Sequence, residues 1–96
     1  MNIQQEIEHC IHKSKAGYRD WYIGLAINPQ KQLFDGHNVS KKEGAWFYRN
    51  AGSEISARDL ETLFLKKGCK GGSFGHVSSK YIYAYKMTRT TRGIRI

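Results

Sequence analysis

Apolar residues recur at helical spacing near the start of the chain, at Ile3, Ile7 and Ile11, with polar residues between them. Side chains four positions apart lie on the same face of an α-helix. The pattern therefore predicts an amphipathic helix with one buried stripe within residues 1–15. Gly17 follows it as a helix-ending signal.

The next stretch, from Tyr18 to Ile27, is rich in aromatic and β-branched residues. Because the run is too short and too apolar for a surface helix, we expect a central strand. Asn28 and Pro29 then have the types of an N-cap and of the first helical residue. They predict a short helix of about two turns that ends at Gly36.

A polar loop from Asn38 to Gly44 is followed by Trp46-Phe47-Tyr48, which predicts a second strand. A third helix is expected after Ser53. Ser56 and Asp59 are spaced approximately as a capping box, and Gly68 is a helix-ending signal. The apolar stripe of this helix consists of Ala57, Leu60, Leu63 and Phe64.

Glycines dominate the segment from Gly68 to Ser79, which predicts a loop. Tyr81 to Tyr85 then alternates as a last strand, in which Tyr81, Tyr83 and Tyr85 share one side. Such a row of tyrosines either packs under a helix or forms a stacking platform for bases. Residues 88–96 form a basic tail.

Helical and strand patterns alternate, but the elements are too few and too short for a doubly wound parallel sheet. We expect one domain over residues 1–96, of the α+β class, with a small mixed or antiparallel sheet flanked by three helices. No apolar stretch approaches the roughly 20 residues that cross a bilayer, and no targeting segment precedes the first helix. The sequence predicts a soluble cytoplasmic protein without a membrane partner, in which both cysteines are free thiols.

The formal charge of +8 comes from 16 lysines and arginines against 8 aspartates and glutamates. An anionic partner follows, and double-stranded DNA is the expected one. The alternative is that the basic balance only keeps a small protein in solution. Candidate phosphate contacts are Lys31, Arg49, Arg58, Lys86, Arg89 and Arg92.

Two residues combine into a candidate hydrolytic site. Tyr22 lies on the predicted central strand, and a tyrosine phenol can align or deprotonate an attacking water. Glu61 borders the apolar stripe of the third helix and can hold Mg²⁺ or Mn²⁺, which polarises a phosphate. The alternative for Glu61 is an ordinary, partly exposed carboxylate that pairs with Arg58 or with a neighbour such as Lys66.

The order of these motifs resembles the GIY-YIG nuclease superfamily. Tyr22-Ile23-Gly24 corresponds to the YIG signature, and residues 28–34 resemble the start of the first catalytic helix of the family. The segment from Ala57 to Glu61 resembles the helix that carries the metal-binding glutamate. The glycine-rich stretch 71–75 and the final strand resemble small stand-alone members, so the resemblance spans residues 18–85.

The resemblance implies an α+β fold and a catalytic set of Tyr18, Tyr22, the residue at position 32, His37 and Glu61. Two positions depart from it. The first signature is reduced to Gly17-Tyr18, and Gln32 stands where the family places an arginine that faces the scissile phosphate. Glutamine carries no charge, so it cannot neutralise the phosphoryl transition state.

Two functions remain open at this point. The chain is either a metal-dependent endonuclease or nickase with an altered arginine position, or a catalytically inactive GIY-YIG-like domain. The inactive form would bind a nucleic acid or act as an inhibitory module on a protein target. For His37 three roles are open: a donor to phosphate, a participant in proton transfer, and a capping or surface histidine.

Overall fold

The computed structural model describes residues 2–71, 79–89 and 91. The α-helices are α1, Ile3–Lys13; α2, Pro29–Lys31; and α3, Glu54–Lys67. The strands are β1, Trp21–Leu25; β2, Trp46–Asn50; β3, Lys70–Gly71; and β4, Tyr81–Lys86. A 3-10 turn, Tyr18–Asp20, precedes β1. The expected α+β class with three helices is confirmed.

The four strands form one mixed sheet in the order β2-β4-β1-β3. Strand β4 is antiparallel to both β1 and β2, and β3 is parallel to β1. In the β1–β4 ladder Tyr22 lies opposite Tyr85, and Gly24 lies opposite Tyr83. This register places three tyrosines on one face of the sheet, because paired residues project to the same side.

Helix α1 starts and stops close to its predicted bounds. The Asn2 side chain accepts a hydrogen bond from Gln5 N at 2.8 Å, and the Gln5 side chain accepts one from Asn2 N at 3.1 Å. This reciprocal pair is a capping box. The helix ends at Lys13, with Ser14 as its C-cap, slightly before the expected end at residue 15.

The cap of α3 was predicted too late in the sequence. Ser53, not Ser56, is the N-cap, and its hydroxyl accepts a hydrogen bond from Ser56 N at 3.1 Å. Both serines have the right chemistry, and only the backbone decides between them: Ser53 is extended while Ser56 is already helical. The predicted stop at Gly68 is confirmed, with φ of 120°.

Helix α2 begins as predicted, because the Asn28 side chain accepts from Lys31 N at 3.2 Å and Pro29 is the first helical residue. It continues directly as a π-helical segment, Gln32–Gly36. The backbone N–H of His37 donates to the carbonyl of Gln32 at 2.9 Å and closes the wider turn. The predicted stop at Gly36 is confirmed, but the π geometry was not predicted.

The sheet separates two clusters of buried side chains. On one side α1 and α3 pack over the sheet, and we call this side the apolar face. Its buried residues are Ile7, Ile11, Trp21, Ile23, Leu25, Phe47, Ala57, Phe64, Cys69, Ile82 and Ala84. On the other side the α2 segment packs over the tyrosine face, whose cluster of buried hydrophobic residues is Tyr22, Ala26, Leu33, Val39, Tyr83 and Tyr85.

Two sequence predictions are corrected by the sheet. Tyr18 lies in the 3-10 turn and not in the central strand. The glycine-rich segment after Gly68 is not loop throughout, because Lys70–Gly71 forms β3 beside β1. Gly71 has φ of 139°, and a Cβ there would collide with the carbonyl oxygen of Ile23. Only glycine fits that edge of the sheet.

Residues 72–78, with most of the predicted glycine-rich loop, lie outside the described residues, as do residue 90 and residues 92–96 of the basic tail. Cys10 and Cys69 are free thiols, as expected. Within the described part of the chain, no helix is long and apolar enough to cross a membrane.

Candidate functional site

A histidine is held between two tyrosines at the centre of the tyrosine face. His37 has 0% exposure. Its Nε2 lies 2.7 Å from the Tyr83 hydroxyl, and its Nδ1 lies 3.0 Å from the Tyr85 hydroxyl. The sequence predicted for His37 a contact with phosphate, a part in proton transfer, or a capping or surface position. The structure instead buries it and gives each ring nitrogen a phenol partner.

The chemistry of imidazole fixes the directions in this network. A neutral histidine has one N–H donor and one acceptor nitrogen. One tyrosine therefore accepts a hydrogen bond from His37 while the other donates one, and exchanging the tautomer exchanges the two roles. The three side chains form a continuous path for a proton within the core.

Tyr22 lies against this network through its ring. Its centroid is 4.6 Å from that of His37 and 5.3 Å from that of Tyr85, with the two tyrosine rings stacked at 19°. The residue is only 3% exposed. Tyr22 and His37, both predicted as site residues, are thus brought together, but in a cluster that is almost fully shielded from solvent.

Burial has an electrostatic consequence for these phenols. It raises the pKa of Tyr85 far above its usual value, and the neighbouring Tyr22 raises that pKa further. Removing a proton in this cluster creates a charge in a low-dielectric environment. The neutral phenol of Tyr85 is therefore strongly favoured at neutral pH.

Gly24, the glycine of the YIG signature, makes room for Tyr83. A Cβ at Gly24 would lie 2.7 Å from the Tyr83 hydroxyl oxygen and 2.8 Å from the adjoining ring carbon. The phenol lies directly over the β1 backbone as a result, and it reaches His37 from there. The glycine is required by this close approach.

Gln32 and Lys31 lie at the rim of the same face, on the α2 segment. Lys31 is exposed and Gln32 is half-buried. The Gln32 amide lies along the helix toward Gly36, one turn later. Its Nε2 is 3.2 Å from the place where a Cβ of Gly36 would be. Gly36 therefore leaves space for the Gln32 side chain.

Two further lysines border the tyrosine face. Lys70 pairs with Tyr22 in the β1–β3 ladder, so it projects to the same side of the sheet. Lys41 Nζ lies 4.9 Å from the centre of the Phe34 ring, and Phe34 packs edge-on against Trp46. Neither lysine was singled out from the sequence. Lys70 was missed because β3 was not predicted.

Tyr18 and Glu61 lie on elements of the apolar face. The Tyr18 ring is 6.3 Å from that of Phe64 and 5.5 Å from Lys67 Nζ. Glu61 belongs to α3, whose buried residues pack on that same face. The predicted catalytic set is thus divided: Tyr22, Gln32 and His37 are together, while Tyr18 and the helix of Glu61 lie across the sheet.

Burial raises the pKa of the Glu61 carboxyl above its ordinary value, and the nearby Arg58 partly opposes the shift. A desolvated carboxylate gains when a cation approaches it, because the cation offsets the lost hydration. Such a perturbed group is a candidate functional residue. The same raised pKa also occurs in purely structural carboxylates.

Two predicted phosphate contacts, Arg49 and Arg58, and one further cation, Lys67, are engaged in ion pairs on the outer surface of the apolar face. Arg49 Nε donates to Glu6 Oε1 at 3.1 Å, and Arg58 pairs with Glu54 at 3.7 Å. Lys67 similarly pairs with Glu8 at 3.6 Å. Strand alternation places Lys86 on the apolar face as well, opposite Trp21 in the ladder.

Of the remaining predicted contacts, Arg89 is exposed beyond the end of β4 and Arg92 lies outside the described residues. Among the described members of that set, Lys31 is the one on the α2 segment, which packs over Tyr22 and His37. The roles of Tyr83 and Tyr85 were also missed. Their alternation with Tyr81 was a signal for a shared face, but not for a histidine partner.

The described residues contain no group of three or more His, Cys, Asp or Glu side chains that could hold a metal ion. Glu61, the one predicted metal ligand, therefore belongs to no such group. No protein-family model, no curated protein and no solved structure matches this chain.

Proposed function

We propose that this protein binds double-stranded DNA through its tyrosine face, as a GIY-YIG-like domain used for binding. The observation that carries the proposal is the distribution of lysines. Lys31, Lys41 and Lys70 border the tyrosine face, and none has a carboxylate partner among the described residues. Cations without carboxylate partners can neutralise phosphates without first breaking an ion pair.

On the opposite side three cations are already engaged in ion pairs. Arg49, Arg58 and Lys67 each lie within 4 Å of a glutamate there. Asp35 and Glu43 are the acidic residues in the α2 segment and the loop that follows it, against six in α1, the 3-10 turn and α3. The formal charge of +8 supplies the long-range attraction for either side.

The resemblance to GIY-YIG nucleases supports the same face. Of the three segments that carry the resemblance, Tyr22-Ile23-Gly24 and the capped start of α2 contribute to the tyrosine face. The third, Ala57 to Glu61, belongs to α3 on the apolar face. Gln32 stands at the position of the catalytic arginine of that family. Binding without cleavage needs no arginine there, so this departure favours a binding domain.

The test is titration of a labelled duplex at several salt concentrations. Phosphate contacts release counterions, so affinity falls linearly in a log–log plot against salt, with little dependence on sequence. The variant Lys31→Ser/Lys70→Ser is expected to lower the slope by about 2, or about 1 per lost contact. Its matched control, Arg19→Ser/Lys66→Ser, removes the same charge from exposed residues near α3.

If both double variants lose the same affinity and the same salt slope, binding depends on net charge alone and the proposed face is contradicted. Absence of duplex binding at low salt would contradict DNA binding altogether. Binding of an acidic protein surface in place of DNA would support the inhibitory module.

Metal-dependent cleavage is the second candidate function, favoured by the raised pKa of Glu61. One carboxylate does not form a metal site alone, although Mg²⁺ is commonly bound by one or two carboxylates together with substrate phosphates. A bound ion would polarise the phosphate. The hydrogen-bonded side chains of Tyr83, His37 and Tyr85 contact the ring of Tyr22, on the face of the sheet opposite to the helix of Glu61.

Incubation of supercoiled plasmid with Mg²⁺ or Mn²⁺ tests this second candidate. Cleavage by the wild type that Glu61→Gln abolishes would establish it. The Gln32→Arg variant adds the cation of the family position, worth about 3–4 kcal/mol of transition-state stabilisation where the rest of the site is intact. Added affinity without cleavage in that variant supports binding alone.

A further inference from the structure

Strand β2 forms one edge of the sheet, and among the described residues no strand pairs with its outer side. Its bonds to the β4 side come from alternate residues. The Ala45 carbonyl accepts a hydrogen bond from β4 at 2.9 Å, and the Ala51 N–H donates to the residue before β4 at 2.7 Å. In an antiparallel ladder the residues of the other parity direct their N–H and C=O groups away from the partner. The outward residues of β2 are therefore Trp46, Tyr48 and Asn50.

This outer edge is only partly protected. The Tyr48 carbonyl accepts a hydrogen bond from Arg49 Nη1 at 2.7 Å. The other outward backbone groups of β2 have no hydrogen-bond partner in the described part of the chain. Protected edges usually carry lysine, proline or a bulge, whereas Trp46, Tyr48 and Asn50 are neutral and contain no proline. An added strand can pair with an edge of this kind.

The charges at the edge favour a neutral strand over an acidic one. Arg49 is the one charged residue of β2, and its Nε already donates to Glu6 Oε1 at 3.1 Å. An acidic strand would gain a cation here only by displacing that glutamate. A second copy of β2 offers the same neutral edge, and antiparallel pairing makes the two edges complementary to each other.

We propose that two copies of this chain pair antiparallel through β2, with Tyr48 on the two-fold axis. The two Tyr48 residues then lie opposite each other, and Trp46 of each copy lies opposite Asn50 of the other. Each of these pairs can exchange two backbone hydrogen bonds. Aromatic side chains opposite each other on one face of a sheet add to the stability of such a ladder.

The pairing joins the two sheets into one. Opposed residues project to the same side, so both tyrosine faces lie on one surface of the joined sheet. The two β1 strands would lie five strand spacings apart, roughly 24 Å. Lys31, Lys41 and Lys70 of both copies then border a single surface. Binding of one duplex by that surface rests on the DNA-binding function proposed above, whereas the dimer itself does not.

Sedimentation equilibrium of the full chain without DNA tests the dimer. A monomer–dimer equilibrium is expected, and it should shift toward dimer as salt rises. Each copy carries a formal charge of +8, and salt screens the repulsion between them. DNA binding has the opposite salt dependence. A monomer at every salt concentration, with protein up to about 1 mM, overturns the proposal.

Proline at position 50 tests the edge itself. Asn50→Pro removes an outward N–H and no bond to β4, and edge strands accept proline where the N–H faces solvent. This variant should abolish the dimer. Asn50→Ala is the matched control, because it loses the same exposed side chain and keeps the N–H. Equal dimerisation of the two variants overturns the proposed pairing.

Arg49→Ser should have the opposite effect. It frees the Tyr48 carbonyl in each copy and removes a cation close to the axis. The dimer should tighten on the order of fivefold, the equivalent of two weak hydrogen bonds released. Arg58→Ser is the control, since Arg58 also pairs with a glutamate but lies on α3. Equal tightening by both would assign the effect to net charge and contradict the edge. If Asn50→Pro does not fold, this comparison decides.

Titration of a long duplex separates the dimer from the DNA-binding function. The wild type should bind cooperatively, and Asn50→Pro should bind without cooperativity and with the same salt slope per copy. A dimer that does not bind duplex overturns the tyrosine-face function and leaves the pairing through β2. Duplex binding by a protein that stays monomeric overturns the dimer and leaves that function.

Discussion

The two faces of the sheet bury different kinds of side chain. The apolar face is covered by α1 and α3, and its cluster consists of aliphatic residues, Trp21, two phenylalanines and one thiol. The tyrosine face is covered by the short α2 segment and buries an imidazole with three phenols. The first face depends on close apolar packing. The second also depends on hydrogen-bond geometry.

The difference has an energetic basis. Burial of apolar surface contributes stability in proportion to the area removed from water, and this contribution does not depend on the relative orientation of the side chains. A buried imidazole or phenol costs free energy unless each polar atom has a partner, and a satisfied network in turn fixes one arrangement of the core. The tyrosine face therefore holds the groups of the candidate site rigidly, while the apolar face supplies stability.

The largest effect is expected from removing a large side chain on the apolar face. Phe64→Ala should lower the free energy of unfolding by about 3–5 kcal/mol, because Phe64 is fully buried between α3 and the sheet. Ile55→Ala on the same helix is the control, since Ile55 is 73% exposed. Urea unfolding measures both. Similar losses for the two would mean that the apolar face is not the main source of stability.

A smaller effect is expected where the tyrosine face meets the β1 backbone. Gly24→Ala places a methyl group 2.7 Å from the Tyr83 hydroxyl oxygen, and overpacking of this kind costs about 1–3 kcal/mol. Gly17→Ala is the matched control, because nothing lies within 4 Å of its Cβ. Stability that is equal in both variants would show that Tyr83 moves aside freely and that the network is not rigid.

Tyr85→Phe probes the hydrogen bond and the titration of the tyrosine face together. Removing the hydroxyl that serves the fully buried Nδ1 of His37 should cost about 1–3 kcal/mol at pH 7. Because the pKa of Tyr85 is raised in the folded state, the unfolded chain loses this proton first, from about pH 10. Wild-type stability thus falls as pH rises through that range, and the variant should fall less steeply.

Urea midpoints between neutral and alkaline pH measure the Tyr85 effect. Burial raises the pKa of Cys69 to about 11, but that group titrates in both proteins and cancels in the comparison. Phe47→Leu on the apolar face removes no titrating group and controls for a general loss of stability. If the urea midpoints of wild type and Tyr85→Phe fall in parallel at alkaline pH, the raised pKa of Tyr85 is contradicted.

The smallest effect concerns the carboxyl on α3. Burial raises the pKa of Glu61 in the folded state, so this carboxyl contributes most to the free energy of unfolding at acidic pH, where it is protonated. Stability then falls as pH rises through the range just above the ordinary pKa of a glutamate. Glu61→Gln should remove this dependence and stabilise the protein at pH 7 by about 0.5 kcal/mol or less. Midpoints at acidic and neutral pH test it. Destabilisation at pH 7 would indicate a favourable partner for the carboxylate.

The helices were largely predictable because their signals are local. The periodicity of Ile3, Ile7 and Ile11 and the cap at Asn28 depend only on neighbours in sequence, and both are confirmed. The strand β3 was not predictable in this way. Two residues carry no period, and Lys70–Gly71 is a strand only because β1 offers an edge where the glycine fits.

The candidate site was predictable only in part for the same reason. Tyr22, Gln32 and His37 were singled out by their order, and they do lie on one face. The pairing of His37 with Tyr83 and Tyr85 joins residues more than 40 positions apart, so it depends on the strand register. Likewise, the ion pair of Arg49 with Glu6 joins β2 to α1, and no local pattern shows that a cation is already engaged.

The π-helical segment Gln32–Gly36 has a consequence for comparing this chain with others. In a regular α-helix, with 3.6 residues per turn, residues five apart point about 140° away from each other. Here the bond from His37 N to the Gln32 carbonyl brings position 37 back over position 32. Such a bulge amounts to a single inserted residue. An alignment with a protein whose helix is regular would pair Gln32 correctly and His37 wrongly, unless it opens a single-residue gap between them.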